Sequence, residues 1–332
     1  MFNKLYENVK KYIKENIKIL ILLISLLSLF SIRLPFYIDA PGGLLDVETR
    51  IDIDTNNKVD GSFSLAYVKE FKATIPTLIY ALISDEWDVF TKEEVEANES
   101  IEDIDYRNHL MLDEANMNAV IVAFDKTDNY YNITNRKLNV TYIYDEADTS
   151  LEIGDQILKV NGVNIESKKQ LDEAIKASSD KLEIEVLNDN KIYQRFANKI
   201  NINNQKLIGI IITETKEIDT NIDYEFKFKP SESGPSGGFM MALSIYNYLT
   251  EKDITNGLKI VGTGTIDEYG NVGSIGGVKY KVLAANKENA DIFFVPSDNY
   301  EEANDVVLDK KLDIKLIEVK TIDDAIKYLN NL

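Results

Sequence analysis

The sequence predicts an α+β fold with an N-terminal transmembrane helix, and three patterns lead there. Ile222, Tyr224, Phe226 and Phe228 alternate with Asp223, Glu225, Lys227 and Lys229, the period-two signature of a half-buried strand. Phe239, Ala242, Leu243, Tyr246 and Leu249 then recur at spacings of three and four, the signature of a helix with one buried face. Near the N-terminus, Ile19 to Ile32 contains only Ile, Leu, Phe and Ser and follows Lys4, Lys10, Lys11, Lys14 and Lys18.

The composition bounds what such a fold can do. A chain of 332 residues with 44% hydrophobic content can bury a large core and is long enough for about two domains. A formal charge of −19 argues against nucleic acid as a partner, because phosphate binding needs a basic surface. Without cysteine there are no disulfides, no thiolate metal ligands and no cysteine nucleophile. No Gly-x-x-x-x-Gly-Lys-Ser/Thr phosphate loop occurs, so the sequence encodes no ATP-driven unfolding, and no cofactor or metal is expected.

In chain order, residues 1–18 read as a cytoplasmic N-terminus and 19–38 as a membrane anchor. The uninterrupted run is shorter than the roughly 20 residues of a spanning helix. Lys18 and Arg33 can snorkel, and Ile13, Ile17 and Leu34 to Ile38 extend the apolar length. A cleaved signal peptide is the alternative, but Ser31-Ile-Arg-Leu-Pro is a poor cleavage site. The expectation is an uncleaved, single-pass anchor in the cell membrane with the acidic remainder outside. Phe36 to Gly43 then reads as a linker punctuated by Pro-Gly-Gly. Arg50 to Ile53 and Ser62 to Val68 are strand-like, Ile75 to Ile83 helical, and Met111 to Phe124 a buried helix. Between them, Asp85 to Asp105 is acidic, with Glu93, Glu94, Glu96, Glu99, Glu102 and Asp103 beside Trp87. A solvated surface explains it better than a metal or cationic-peptide site, because ligand spacing is absent.

From about Asn129 to Asn204 the pattern changes. Leu138 to Tyr144 reads as a strand, Leu151 to Gly162 as a turn and strand, and Ser167 to Ala177 as a helix with Leu171, Ala174 and Ile175 on one face. Leu182 to Leu187 and Ile192 to Phe196 flank Asn188-Asp-Asn190 as a hairpin. The C-terminal part alternates: strand Asp291 to Val295, helix Asn299 to Val307, strand Asp313 to Val319, and helix Thr321 to Leu329 with Thr321 and Asp324 as a capping box.

The chemistry concentrates at Ser233-Gly-Pro-Ser-Gly-Gly-Phe-Met-Met-Ala-Leu243, a glycine-rich turn between the strand and the helix described first. Ser236 sits near a helix N-terminus, where unpaired N–H groups create positive potential, and Gly234, Gly237 and Gly238 admit close backbone approach. Such a place suits an oxyanion; the plainer alternative is a turn whose serine caps the helix. The one histidine, His109, would have to serve any Ser-His-Asp triad. Lysine is the other base, and Gly273-Ser-Ile-Gly-Gly-Val-Lys-Tyr-Lys-Val-Leu-Ala-Ala285 offers Lys279 and Lys281 on a second glycine turn and helix. A lysine accepts a proton only when neutral, so its pKa of about 10.4 must fall by roughly three units, which burial can supply. Taken singly, each lysine also fits a solvated first-turn side chain.

Gly234-Pro-Ser-Gly, Gly262-Thr-Gly-Thr-Ile266 and Gly270-Asn-Val-Gly-Ser-Ile-Gly-Gly277, with Lys281 and Ala284-Ala285, resemble the proteolytic domain of Lon-type serine proteases. The resemblance is closer to the membrane-anchored bacterial branch that carries a PDZ domain and no ATPase. It implies Ser236 as nucleophile and, as base, the lysine four residues after Ile-Gly-Gly, which is Lys281 rather than Lys279. It further implies Thr263 as the residue orienting that lysine, a supporting loop of Gly234, Pro235 and Gly237, and an oxyanion site near the N–H groups of Gly234 and Ser236. Ser233 departs from the Asp that most ATPase-bearing members have there. Met111 to Ala119 is similar to the first helix of the same domain, and Gly154-Asp-x-Ile-x-x-Val-Asn-Gly162 looks like a PDZ domain, without the usual carboxylate-binding glycine loop near Asn135 to Val140. The implied organisation is a Lon-type domain (39–128 and 205–332) split by an inserted PDZ domain (129–204). The implied function is an ATP-independent serine endopeptidase for extracytoplasmic peptides or flexible segments, assembled as a homo-oligomer, commonly a hexamer in the family. The insert either captures peptide by strand addition or acts as a rigid cap that narrows access to Ser236. A catalytically silent PDZ receptor on a protease-like scaffold is the rival.

Overall fold

The computed structural model describes residues 2–55, 57–91, 99–202 and 205–332, in a mixed α/β fold. In chain order the elements are α1 (Phe2–Ser31), β1 (Phe36–Asp46), a 3₁₀ turn (Val47–Thr49), β2 (Ile51–Ile53), β3 (Ser62–Lys72), α2 (Ile75–Ile83), β4 (Asp88–Thr91) and α3 (Ile101–Lys126). Next come β5 (Tyr131–Ile143), β6 (Gln156–Val160), β7 (Val163–Asn164), α4 (Lys168–Ala177), β8 (Lys181–Asn188), β9 (Lys191–Asn198), β10 (Ile200–Ile202), β11 (Gln205–Leu207), β12 (Ile210–Thr220) and β13 (Tyr224–Phe226). The chain closes with α5 (Gly238–Leu249), β14 (Lys259–Gly262), β15 (Thr265–Ile266), β16 (Val272–Gly273), α6 (Val278–Lys287), β17 (Ile292–Pro296), α7 (Ser297–Lys310), β18 (Lys315–Val319) and α8 (Ile322–Asn330).

The chain divides into two compact units, Met1–Gly42 with Val68–Ala97, and Gly43–Tyr67 with Asn98–Leu332. In the first, Phe36–Asp39 pairs antiparallel with Asp88–Thr91. Ile38, Ala73 and Ala81 form a small core with Phe71, Leu78, Trp87 and Val89 around them. Trp87 meets Phe71 and Tyr80 edge-on, so this aromatic belongs to a core rather than to an acidic surface site. Glu93, Glu94 and Glu96 of the acidic stretch lie outside the described residues.

The same unit overturns the predicted transmembrane helix. Within α1, Lys4, Glu7, Lys10, Lys11, Lys14, Glu15 and Lys18 precede the apolar part, which runs only from Ile19 to the helix end at Ser31. At 1.5 Å per residue that covers about 20 Å, against a hydrocarbon core of about 30 Å. Leu34 to Ile38 does not extend it: the Leu34 N–H donates to Ala73 O, and Tyr37 and Ile38 are buried in β1. No described helix is long and apolar enough to cross a membrane. The anchor at 19–38, the cytoplasmic assignment of 1–18 and the single-pass cell-membrane placement with an extracellular catalytic domain therefore do not stand. Phe36 to Gly43 is likewise not a linker but part of an eleven-residue strand.

In the second unit, β14 lies between β3 and β17, parallel to both, and β17 pairs in parallel with β18. Helix α5 runs through the main core, where Phe239, Met240, Leu243 and Ile245 pack with Phe63, Ala119, Ala123 and Phe294. Helices α6 and α7 cover the opposite side of the sheet, with Val278, Val282, Phe293 and Ala303 in a separate cluster. The helix read from Met111 begins ten residues earlier, at Ile101, because Ser100 caps it by accepting from the Asp103 N–H. The 129–204 segment, joined by β12, builds an antiparallel sheet ordered β12-β5-β6-β8-β9 around Leu138, Val140, Ile157, Leu171 and Ile184. Strand β12 pairs with β5 along its whole length, so this sheet continues to Thr220, past the expected end at Asn204, a residue outside those described.

Candidate active site

Ser236 stands on the loop between β13 and α5, two residues before the first helical residue. Four hydrogen bonds fix the approach to it. Arg50, nearly buried, forms a bidentate pair with Glu232 at 2.7 and 2.6 Å, and Glu232 also accepts the Lys229 N–H at 2.9 Å. The Gly234 N–H donates to Asn108 O of α3 at 2.9 Å. Gly234 has φ +93°, a conformation that glycine adopts without the Cβ penalty, and a Cβ at Gly237 would lie 2.7 Å from Leu65 Cδ2. The loop therefore needs glycine at both places.

Thr263 and Lys281 come from other elements. Thr263 follows the carboxyl end of β14, fully buried, with its N–H donating to Phe294 O on β17. Its hydroxyl donates to Ser236 O at 3.0 Å. It also accepts from Lys281 Nζ at 3.2 Å. Lys281 is on the second turn of α6, which starts after Gly277 in a left-handed conformation (φ 67°). The side chain is 3% exposed and has no carboxylate partner among the described residues. Burial pushes its pKa down to about 8, because a charged amine loses hydration that the single Thr263 hydroxyl does not replace. Another buried lysine, Lys216, is by contrast surrounded by Glu214, Glu268 and Asn118. Lys279, two residues away on α6, is only half-buried and stacks over the Tyr280 ring.

The backbone around Ser236 is partly committed. Ser236 O accepts from Gly264 N at 2.8 Å as well as from Thr263, and the Phe239 N–H donates to Gly264 O. The expected oxyanion donor at Gly234 is used up on Asn108. The N–H groups of Ser236 and Gly237 donate to nothing among the described residues. The Ser236 hydroxyl is not hydrogen-bonded there either; bonds of this kind often tighten only when substrate is bound.

His109 is placed against a triad. Its Nδ1 lies 2.8 Å from Asp105 O and its Nε2 3.0 Å from Pro230 O. Two carbonyl oxygens accept only from N–H donors, so both ring nitrogens are satisfied by the imidazolium, and these bonds, led by that to Asp105, raise its pKa. A group so engaged ties the loop at Pro230 to α3 and has no free nitrogen for the serine.

Beside Pro235 opens a cleft of about 300 Å³. Met111, Glu114, Ala115 and Asn118 of α3 form one wall, and Thr265 to Asp267 with Asn271 to Gly273 form the other. Sequence reasoning does not single out Glu114 or Asn118. A signal exists: Asn116 and Asn118 are polar residues on an otherwise apolar helix between Ala115 and Ala119, and both are buried. Asn118 is satisfied on each side, by Lys216 Nζ at 2.8 Å and by Ile266 O at 3.0 Å.

Residues 215–331 match the family model of the Lon protease (S16) C-terminal proteolytic domain. Among curated proteins, the Lon protease of Aster yellows witches'-broom phytoplasma (strain AYWB) is 35% identical over 94 residues, 28% of this chain and 12% of that protein. The Lon protease of Campylobacter concisus (strain 13826) is 37% identical over 97 residues, 29% of this chain and 12% of that protein. That of Metamycoplasma arthritidis (strain 158L3-1) is 37% identical over 98 residues, again 12% of its length. The chain thus spans only 12% of the length of these relatives. The matched region contains Ser236, Thr263 and Lys281, and the similarities support a serine peptidase.

Proposed function

We propose that the chain is an ATP-independent serine endopeptidase with a Ser236–Lys281 dyad, acting on flexible peptide segments laid in the cleft beside Pro235. The observation that carries this is the buried Lys281, without a counter-ion among the described residues and tethered through the Thr263 hydroxyl to the backbone of Ser236. A neutral lysine has two N–H groups and one lone pair. Thr263 has given its own hydrogen to Ser236 O, so it takes one lysine N–H and leaves the lone pair available for the serine hydroxyl. Ser236 Oγ attacks the scissile carbonyl carbon as its proton passes to Lys281 Nζ, and the N–H groups of Ser236 and Gly237 hold the oxyanion. The lysine ammonium then protonates the leaving amine, the C–N bond breaks, and water hydrolyses the acyl-enzyme by the same route. Gly234, Pro235 and Gly237 shape the loop without taking part in proton transfer.

In this reading residues 129–204 are a PDZ-like insert, supported by the order strand, strand, helix, hairpin (β5, β6, α4, β8–β9). Assembly as a homo-oligomer, a hexamer by resemblance, belongs to the same reading and is checked by sedimentation. The dyad is tested by Ser236→Ala and Lys281→Ala, each expected to bring peptide cleavage to background. Residues acting as a unit are not additive, so the double variant should be scarcely worse than either single. Lys279→Ala should keep substantial activity. Full cleavage by Ser236→Ala would remove the mechanism, and a dead Lys279→Ala beside an active Lys281→Ala would reassign the base.

A further inference from the structure

The insert is bonded to both elements that wall the cleft beside Pro235, α3 and the β15–β16 hairpin. On the α3 wall, Lys168 at the start of α4 places Nζ 2.9 Å from Glu114 Oε1. On the other wall, Arg136 of β5 reaches Glu268 at 3.0 Å with Nη2, and with Nη1 it bonds Glu214 of β12. Glu268 sits in the turn between β15 and β16, the hairpin that lines the cleft. The base of the same hairpin is bonded to the serine, through Gly264 N to Ser236 O at 2.8 Å. The hairpin is thus held at the serine by one end and at the insert by the other.

Between the walls the contacts are shared. Lys216 Nζ bonds Asn118 on α3 and lies 3.7 Å from Glu268 on the hairpin. Glu214 accepts the Lys168 backbone N–H at 2.9 Å besides its bond to Arg136, and the Glu214 N–H faces Glu114 at 3.4 Å. Both Glu214 and Lys216 are about 95% buried, so their charges are satisfied by partners rather than by water. Around this junction the packing is open: a gap of about 470 Å³ runs between Val122, Lys126, Tyr131, Arg136, Glu268 and Tyr269. The ion pairs bridge this gap between hairpin and insert, while backbone bonds from Val272 N to Lys320 O and from Ile322 N to Gly270 O hold the far side of the hairpin.

We infer that the insert brackets the cleft, with Arg136 and Lys168 as positioning residues that set its width for a polypeptide substrate. The inference rests on the proposed use of that cleft by substrate, and it favours the cap over the capture role for the insert. Binding of an extended segment depends on both walls being in register; the Ser236–Thr263–Lys281 set depends on β14, α5 and α6 and meets the hairpin at its base, Gly264, whereas Arg136 and Lys168 bond Glu268 and Glu114. Loss of the bracket should therefore weaken polypeptide binding and leave the reactivity of the serine intact.

The test compares cleavage of a fluorogenic decapeptide with labelling of Ser236 by diisopropyl fluorophosphate, a reagent too small to span the cleft. In Arg136→Gln, Glu268→Gln and Lys168→Met, KM for the decapeptide is expected to rise about tenfold, the middle of the range for coupling through a packed network. The kcat and the labelling rate should stay within about threefold, a margin for small indirect effects. Arg136→Lys should recover part of the loss, and Arg136→Gln with Glu268→Gln should be less than additive. Glu268→Gln and Lys168→Met alter partly exposed side chains, so they report even where Arg136→Gln folds poorly. An unchanged KM in both overturns the inference, and so does a parallel fall in labelling and cleavage, which would make the network a support of the fold or the dyad. If wild-type Ser236 neither labels nor cleaves, the peptidase reading fails and the bracket with it.

Discussion

Thr263 donates its hydroxyl hydrogen to the carbonyl oxygen of Ser236 at 3.0 Å. The bond makes the threonine more than a neighbour of Lys281, since the orientation that satisfies Ser236 O also presents the oxygen lone pairs to the lysine. Thr263→Val keeps the shape and removes both bonds, while Gly264 N–H still satisfies Ser236 O. A drop in kcat of about ten- to a hundredfold is expected, less than loss of the base itself, which is commonly 10²–10⁴-fold. Thr263→Ser should restore most of it. An acceptor stabilises the ammonium more than the amine, so the pH midpoint in Thr263→Val should move down. A variant with unchanged kcat and midpoint would show that Thr263 only fills space.

The pH profile follows from Lys281. Burial disfavours its charged form and brings its pKa to about 8. Only the neutral amine accepts the serine proton, so kcat/KM should rise tenfold per unit below that value and level off above it. Stopped assays across pH 6 to 10 on a peptide without titrating groups would measure this. A profile already flat at pH 6 would mean that some other group is the base.

His109 makes the opposite forecast. Both its nitrogens face carbonyl oxygens, so His109→Gln should retain catalysis within about tenfold, where loss of a triad histidine costs 10³-fold or more. The sign of its contribution to stability runs with protonation. Its folded pKa lies above the ordinary 6.5, so the stabilisation is fully present below about 6.5 and is lost as pH rises through the folded value. Thermal melts of wild type and His109→Gln should therefore differ most at acidic pH and converge at alkaline pH. The reverse trend would mean that the ring is held neutral.

Much of the local structure is legible in the sequence, because local patterns report local causes. Thr321 and Asp324 form the capping box their spacing predicts, and Asp189 and Asn190 take the positive φ angles that their hairpin turn requires. Patterns fail where distant partners decide. The alternation from Ile222 to Phe228 predicts a longer strand than β13, whose pairing ends where its partner β2 ends, at Ile51 to Ile53. Pro41, Gly42 and Gly43 predict a linker, yet they lie within β1. The lysine-led apolar run predicts a membrane span, but the residues needed to lengthen it are drawn into that strand. At the site, the serine loop and the two lysines are visible as motifs. The pairing of Thr263 with Lys281 is implied there by resemblance alone, and the bond from Thr263 to Ser236 O is not visible at all, because it depends on the packing of β14, α5 and α6. Nor is the pairing of Arg136 with Glu268, 132 residues apart in sequence.

The buried lysine should also cost the protein stability. An unfolded lysine titrates near 10.5 and Lys281 near 8, so between these values the unfolded chain holds the proton more tightly. Folding then expels a proton, and stability rises with pH through that window; below about 8 the folded state retains a buried charge at a cost on the order of 3 kcal/mol. Lys281→Met keeps the length of the stem and removes the charge, while Thr263 keeps its bond to Ser236 O. The variant should be inactive and yet more stable than wild type at pH 7 by about 1–3 kcal/mol, the range for replacing a buried charge by an apolar isostere. The difference should shrink as pH approaches 10.5, where both forms bury a neutral group. Urea midpoints at pH 7 and pH 10 would measure both quantities. A Lys281→Met that is less stable than wild type at pH 7 would show that the ammonium has a partner that compensates its burial, and the case for a lysine poised as a base would lose its physical ground.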